Sequence, residues 1–210
     1  MRLPRRRIAS IFYFSVTALA AVLVLSALPQ HAAPQSPAGG LVFALDPAQS
    51  MVHWTLGTTL HTVHGTFALK KGALQLDLST GKATGEIVAD ATSCKTDNDS
   101  RDKKMHKDVL ESARFTDIVF RADRIDGKVA SQGESGVQLH GVFLLHGAEH
   151  EFTVPVHANL TADHWSATAN FSIPFIDWGL KNPSNWLLKV DHAVTVDLDL
   201  KGTFRNPASQ

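Results

Sequence analysis

The 210-residue chain contains one cysteine, Cys94, so no disulfide bond can form within it. It also lacks a Gly-x-Ser-x-Gly elbow, a His-Glu-x-x-His pair, a phosphate-binding loop and the glycine set of dinucleotide-binding enzymes. No segment recurs at the period of a solenoid. These absences give no support to a hydrolase, a nucleotide-dependent enzyme or a repeat protein. They favour a single domain, in which Cys94 is predicted to be a small buried residue and not a nucleophile.

The N-terminus is typical of an export signal. A basic start with four arginines precedes an almost wholly apolar run at residues 8–28, and small residues follow at 32–33. We predict a signal peptide at residues 1–33, with an uncleaved membrane anchor as the alternative. Residues 34–40, rich in Pro, Gly, Ser and Ala, are predicted to be a linker. The expected location is periplasmic or secreted.

The chain carries no excess of basic residues that would attract nucleic acid. Its Lys and Arg number 20, as do its Asp and Glu. Removal of residues 1–33 takes away four arginines and no acidic residue, which leaves 16 basic and 20 acidic residues and a formal net charge of −4. Nucleic acid is therefore not an expected partner.

Most of the chain alternates apolar and polar residues, as half-buried strands do. Val52, Trp54 and Leu56 fall on one face of a segment whose other face carries His53 and Thr55. About eight or nine such segments occur at short, turn-punctuated spacing, and closure would remove exposed sheet edges. We predict a mainly β protein: an antiparallel, lipocalin-like barrel of about eight strands with one short helix.

The exception to the alternation lies at residues 98–112, where the apolar pattern is helical. Met105 and Val109 are four residues apart and Leu110 follows them, with Asp99 or Ser100 as the expected N-cap. Because strands surround this helix, we expect it to form a lid at one end of the barrel, with these apolar residues facing inward.

The interior of an eight-stranded barrel either is filled by side chains or holds one small ligand. Periodicity alone does not separate a solid core from an apolar cavity. Gly65 and Gly141 would leave room among the residues of the expected inner face, which include Val52, Trp54, Phe67, Leu76, Phe143, Phe152 and Phe171.

Several motifs together resemble the YceI-like family. They are Phe43-Ala44-Leu45-Asp46, Val63-His64-Gly65-Thr66-Phe67, residues 93–106, Gly141-Val142-Phe143-Leu144-Leu145-His146-Gly147 and Trp178-Gly179-Leu180. The resemblance covers about residues 41–203 and implies an exported lipocalin-type barrel, here residues 41–205, whose apolar tunnel holds a polyisoprenoid. It implies binding or carriage of a long-chain isoprenoid lipid without catalysis, and transient contact with a membrane. No cofactor is predicted, although an isoprenoid lipid or a quinone-like molecule would occupy the tunnel.

The predicted lipid-contacting residues combine the inner-face pattern with the resemblance. They are Val52, Trp54, Phe67, Leu76, Met105, Phe115, Phe120, Phe143, Phe152, Phe171 and Trp178. Arg101 and His106 are the head-group candidates, because cations beside a helix start suit an anionic or carbonyl group. For Arg101, an ion pair with Asp102 or a strand carboxylate is an equal alternative.

The sequence departs from the family pattern at two positions. Many members carry Arg where Phe175 stands and Pro where Thr116 stands. Residues 182–188 are also more elaborate than in the common pattern, and they are expected to cover one mouth of the barrel.

Two other functions stay open at this stage. A periplasmic metal-binding protein or metal-dependent enzyme could use His61, His64, His106, His140, His146 and His150. An interaction protein with a solid core is the other alternative, and a homodimer is compatible with any of these functions.

Overall fold

The computed structural model describes residues 40–205. The predicted signal peptide at residues 1–33 lies outside the described residues, as does the predicted linker except for Gly40. The described strands are β1 Leu41–Leu45, β2 Met51–Gly57, β3 Thr62–Phe67, β4 Leu69–Asp77, β5 Lys82–Asp90, β6 Asp117–Gly127, β7 Gly133–Leu145, β8 Ala148–Leu160, β9 His164–Ile173 and β10 Val194–Arg205. Helix α1 spans Asp99–Asp108, between β5 and β6.

The strands form one closed antiparallel ring. β10 pairs with β2 over Thr195–Asp199 and with β1 over Gly202–Arg205, so β1 and β2 act as one strand interrupted by a short 3-10 turn. β3 and β4 likewise pair with β2 and β1 and are separated only by Ala68. The ten strands within residues 40–205 therefore make an eight-membered barrel, which confirms the predicted fold.

The alternation of side chains positions the core inside this barrel. In β10, Val196 and Leu200 are buried while Asp197 and Asp199 are exposed. The neighbouring strands follow the same rule, and their inward residues join one apolar core.

Side chains fill the end of the barrel where β1 begins. The Phe43 ring packs between the rings of Trp165 and Phe204. The indole N–H of Trp165 donates to the carbonyl oxygens of Ala44 and Thr203, at 3.2 and 3.1 Å. This end is therefore filled by an aromatic cluster whose indole N–H is hydrogen-bonded.

Helix α1 lies at the opposite end, which we call the mouth. The expected N-caps Asp99 and Ser100 are wrong, because the cap is Asn98, whose side-chain oxygen accepts from the Arg101 backbone N–H at 2.9 Å. Asn98 has extended backbone torsions, whereas Asp99 and Ser100 already belong to the helix. Within residues 40–205, no helix is both long and apolar enough to cross a membrane.

Candidate functional site

The barrel is not solid between its filled end and the mouth. An inner chamber of about 130 Å³ lies between facing strands. Its walls are almost wholly apolar and include Val52, Leu69, Ile87, Ala89, Phe120, Leu139, Phe143, Val154, Ala169 and Phe171. Of the two interiors that the sequence left open, the structure has the apolar cavity.

An outer chamber of about 350 Å³ continues from the inner one to the mouth. The two chambers adjoin at the side chains of Phe67, Ile118, Ile173 and Val196, which line both of them. The volume of the outer chamber lies in the range of about 300–1,000 Å³ that is usual for small-molecule sites. Its few polar lining residues are Thr58, His61, Arg101, Lys104 and Asn185.

Two irregular segments complete the outer chamber at the mouth. Helix α1 contributes Met105, and the turn after it contributes Val109 and Leu110. The segment 174–193, which connects β9 to β10, contributes Phe175, Leu180, Pro183, Asn185, Leu188 and Val190. Residues 182–188 thus reach the mouth, and the buried Phe175 presents an apolar ring to the chamber.

Glycine at position 65 makes room for Trp54 in the chamber wall. A Cβ atom there would overlap the indole ring of Trp54 and lie 2.7 Å from the carbonyl oxygen of Lys95. Trp54 pairs directly with Gly65 across β2 and β3 and is only 6% exposed. The strand pairing and the missing side chain together hold this indole flat in the wall.

One part of the barrel wall is sealed by side chains instead of backbone hydrogen bonds. Among the described strands, β8 and β9 pair only between His157–Leu160 and Trp165–Thr168. Beyond this ladder, Phe152 packs against Phe143, Phe171 and Trp178 at ring-centroid distances of 5.5–5.7 Å. Aromatic packing therefore closes the interval between β8 and β9 toward the mouth.

The structure brings together seven of the eleven predicted lipid-contacting residues in the two chambers. Val52, Phe120, Phe143 and Phe171 line the inner chamber, Trp54 and Met105 line the outer one, and Phe67 borders both.

The other four predicted residues line neither chamber. Leu76 is buried in the core, and Phe152 and Trp178 lie in the aromatic seal. Phe115 packs outside the chambers, with its ring 4.3 Å from that of His146. It follows the helix in a turn where strand parity no longer decides direction.

Sequence reasoning missed chamber residues on the irregular segments. Phe175, Leu180, Leu188 and Val190 line the outer chamber, yet they lie where no strand or helix period applies. The available signal was the density of apolar residues in a long connection, which indicates that the connection packs on something.

Arg101 borders the outer chamber, but its guanidinium group is already engaged. It forms an ion pair with Asp97, and its Nε donates to the hydroxyl of Thr96 at 3.0 Å. The alternative pairing with Asp102 is wrong, because the buried Asp102 carboxylate accepts from the Thr96 backbone N–H at 3.1 Å and from its hydroxyl. These contacts tie the first turn of α1 to the preceding segment.

Both ring nitrogens of His106, the other head-group candidate, are used within the protein. Nε2 lies 2.8 Å from the Cys94 carbonyl oxygen and Nδ1 lies 2.8 Å from the Ser112 hydroxyl. Because a carbonyl can only accept, Nε2 carries the proton, and in the neutral ring Nδ1 accepts from Ser112. His106 therefore clamps the helix, and it does not line either chamber.

Lys104 is an exposed cation of the outer-chamber lining. It forms no ion pair with any residue in 40–205.

Cys94 is a buried residue of the outer-chamber lining, and its thiol is unreactive. Burial raises the pKa of its thiol to about 12, so the thiol is protonated at neutral pH. Its sulfur is 3.7 Å from that of Met105, in a small cluster with Trp54 and Val63.

The six histidines of the metal hypothesis do not converge. No group of three or more His, Cys, Asp or Glu side chains within residues 40–205 is placed to hold a metal ion. His64 contacts Thr55, His140 contacts Asp126 and Thr153, and His146 lies beside Glu111. The rings are dispersed over different parts of the barrel, which disfavours the metal alternative.

Solved structures with the same architecture include three from bacteria. BcnA of Burkholderia cenocepacia is 15% identical with a TM-score of 0.60, and the match covers 76% of this chain and 99% of BcnA. A polyisoprenoid-binding domain from Saccharophagus degradans, implicated in plant cell wall breakdown, is 17% identical with a TM-score of 0.59, covering 79% and 98%. The Campylobacter jejuni YceI protein is 12% identical with a TM-score of 0.52, covering 66% and 83%. At these identities the likeness establishes the fold alone.

The sequence itself is assigned by a family comparison. No curated protein matches it significantly. The family model of the YceI-like domain, however, matches residues 43–202, which is more than half of the chain. The protein therefore belongs to the YceI-like domain family.

Proposed function

We propose that this protein binds and carries a long apolar lipid of the polyisoprenoid class inside its barrel, and that it performs no chemistry on that lipid. The observation that carries the proposal is the pair of adjoining apolar chambers, the outer of which ends at the mouth. Together they would form the passage that holds the lipid. Family membership and the polyisoprenoid-binding domain among the similar structures support the same class of ligand.

The physical gain comes from removing the lipid tail from water. Each square ångström of apolar surface that leaves water contributes on the order of 25 cal/mol, and a tail needs no specific polar contact along its length. Aromatic and branched side chains make up most of both chambers.

The polar end of the ligand is proposed to lie at the mouth beside Lys104. Arg101 and His106 are committed to contacts within the protein, so Lys104, His61 and the side-chain amide nitrogen of Asn185 are the polar groups of the lining proposed to meet it. Phe175, which stands where the family resemblance would place Arg, adds a buried apolar ring to the outer chamber.

Location in the periplasm or outside the cell is also proposed. It rests on the predicted signal at residues 1–33, and intact-mass measurement of the N-terminus after expression tests it. A chain that begins near residue 34 supports cleavage, whereas a chain that begins at Met1 in the membrane fraction supports an anchor.

Filling the inner chamber tests the carrier function. Ala169 lines that chamber and is buried, so Ala169→Phe should place a ring in the passage, and Ala169→Val is the smaller matched control. We expect lipid retention, measured by extraction and mass spectrometry, to fall at least about tenfold in Ala169→Phe and much less in Ala169→Val. Equal retention by folded samples of all three proteins would contradict the proposal.

A further inference from the structure

Large apolar side chains are concentrated on two loops at the mouth. Within residues 40–205, three of the five exposed large apolar residues are Leu60, Trp186 and Leu187, with exposures of 72%, 89% and 60%. Leu60 lies in the turn between β2 and β3, and the other two lie in the segment between β9 and β10. We call these three residues the mouth patch.

Backbone contacts hold the two loops side by side. The Thr59 N–H donates to the Lys189 carbonyl oxygen at 3.0 Å, and Thr58 forms an isolated bridge with Val190. The patch is therefore one surface composed of two neighbouring tips.

The exposure of Trp186 and Leu187 follows from a defined turn. The Asn185 side-chain oxygen accepts from the backbone N–H groups of Leu187 and Leu188, at 2.9 and 2.8 Å. The Asn185 N–H in turn donates to the Leu188 carbonyl oxygen at 2.8 Å. This turn presents Trp186 and Leu187 outward while Leu188 faces the outer chamber.

The tips of the two loops carry charge of one sign, although Asp177 and Asp191 lie elsewhere in the segment between β9 and β10. Residues 58–61 and 181–190 contain Lys181, Lys189 and His61 and no acidic residue, although the protein without residues 1–33 carries a net charge of −4. An indole and two leucines framed by lysines are typical of segments that lie in the interface of an anionic bilayer. Lysine is by contrast depleted at protein–protein interfaces, and three side chains supply little of the roughly 800 Å² per partner that such interfaces bury.

We propose that the mouth patch is a docking site for the surface of an anionic phospholipid bilayer. The loops that carry the patch also line the outer chamber through Thr58, His61 and Leu188, so docking would bring the mouth against the bilayer. The lipid would then pass between bilayer and barrel without crossing water. This proposal rests on the proposed function, because docking serves to transfer the lipid that the barrel is proposed to carry.

The test measures local insertion, because an uncleaved N-terminal anchor would itself hold the chain on vesicles. The full chain is expressed, and the product is mixed with phosphatidylcholine–phosphatidylglycerol vesicles whose acyl chains carry bromine, a quencher of indole fluorescence. The signal of Trp186 is the difference between the wild-type protein and Trp186→Phe. We expect this signal to be quenched and shifted to the blue.

Leu60→Ser/Leu187→Ser keeps Trp186 and should lower the apparent partition coefficient about tenfold. Leu78→Ser is the matched control, since Leu78 is 46% exposed at the filled end of the barrel and should leave partitioning unchanged. Unquenched Trp186, or equal quenching in the double variant, would overturn the docking site. A concentration-dependent dimer that the double variant abolishes would also overturn it, because the patch would then join two copies.

Loading the protein with a polyprenol from detergent solution distinguishes the docking proposal from the proposed lipid-carrier function. The double variant should still retain the polyprenol, because its chambers are intact. Loss of vesicle docking with retained polyprenol affects only the docking proposal, whereas a wild-type protein that never retains polyprenol contradicts the proposed function.

Discussion

The imidazole of His150 lies flat against the indole of Trp178, with the ring centroids 4.2 Å apart and the ring planes inclined by 2°. His150 belongs to the part of β8 that does not pair with β9, and Trp178 comes from the segment that follows β9. The stack therefore joins the two sides of the barrel wall where the backbone ladder is missing.

Trp178→Ala should remove this seal. The indole also packs on Phe143 and Phe152, so we expect its loss to lower the free energy of unfolding by about 2–4 kcal/mol, measured by urea denaturation. Trp186→Ala is the control of the same type in the same connection, and its 89% exposure predicts almost no change. Equal unfolding free energies of the two variants would show that the stack does not stabilise the protein.

Gly65→Ala should disturb the wall of the outer chamber. The new Cβ atom would overlap the Trp54 ring and press on the Lys95 carbonyl, so we expect a loss of about 1–3 kcal/mol in unfolding free energy. Near-ultraviolet circular dichroism should report displacement of the indole. Gly136→Ala, also in a strand, meets its nearest side-chain atom at 3.9 Å and should leave both measurements close to wild type.

Cys94 should react slowly with thiol reagents in the folded protein. Its pKa is raised to about 12 by burial, so the reactive thiolate is scarce at neutral pH. Because the folded state favours the protonated thiol, Cys94 does not lower the free energy of unfolding below the ordinary thiol pKa. Its contribution to that free energy falls as the pH rises from the ordinary thiol pKa toward 12.

With one cysteine in the chain, the rate of disulfide exchange with an aromatic disulfide at pH 8 is unambiguous. We expect at least about a hundredfold increase when urea unfolds the protein. Rapid reaction without urea would mean that Cys94 is accessible and that the cluster beneath α1 opens readily.

The strands and the helix were predictable because the spacing of apolar residues in the sequence matches the spacing of buried residues in the structure. β10 places its buried Val196 and Leu200 four positions apart, in phase with the alternation, and α1 begins within one residue of the expected cap. The breaks in the paired strands at Pro47–Gln49 and at Ala68 were not predictable. They depend on the pairing of β1 with β4 and of β2 with β3, which the local sequence does not determine.

The residues of the candidate site were likewise predictable on regular strands and not predictable in the turns. Residues that line the inner chamber lie on regular strands, so parity alone indicates Val52, Phe120 and Phe143. The roles of His106 and Arg101 depend on contacts with Cys94, Ser112 and Asp97 that fold-specific turns create. A cation beside a helix start thus had two physical uses, and the sequence did not distinguish the structural clamp from the head-group contact.

The mass of the wild-type protein purified without detergent tests the central claim most directly. Native mass spectrometry should show the chain with one bound lipid, and fragmentation of the extracted lipid should give losses of successive isoprene units. A wild-type protein that carries no lipid and takes up none from polyprenol-containing vesicles would contradict the account.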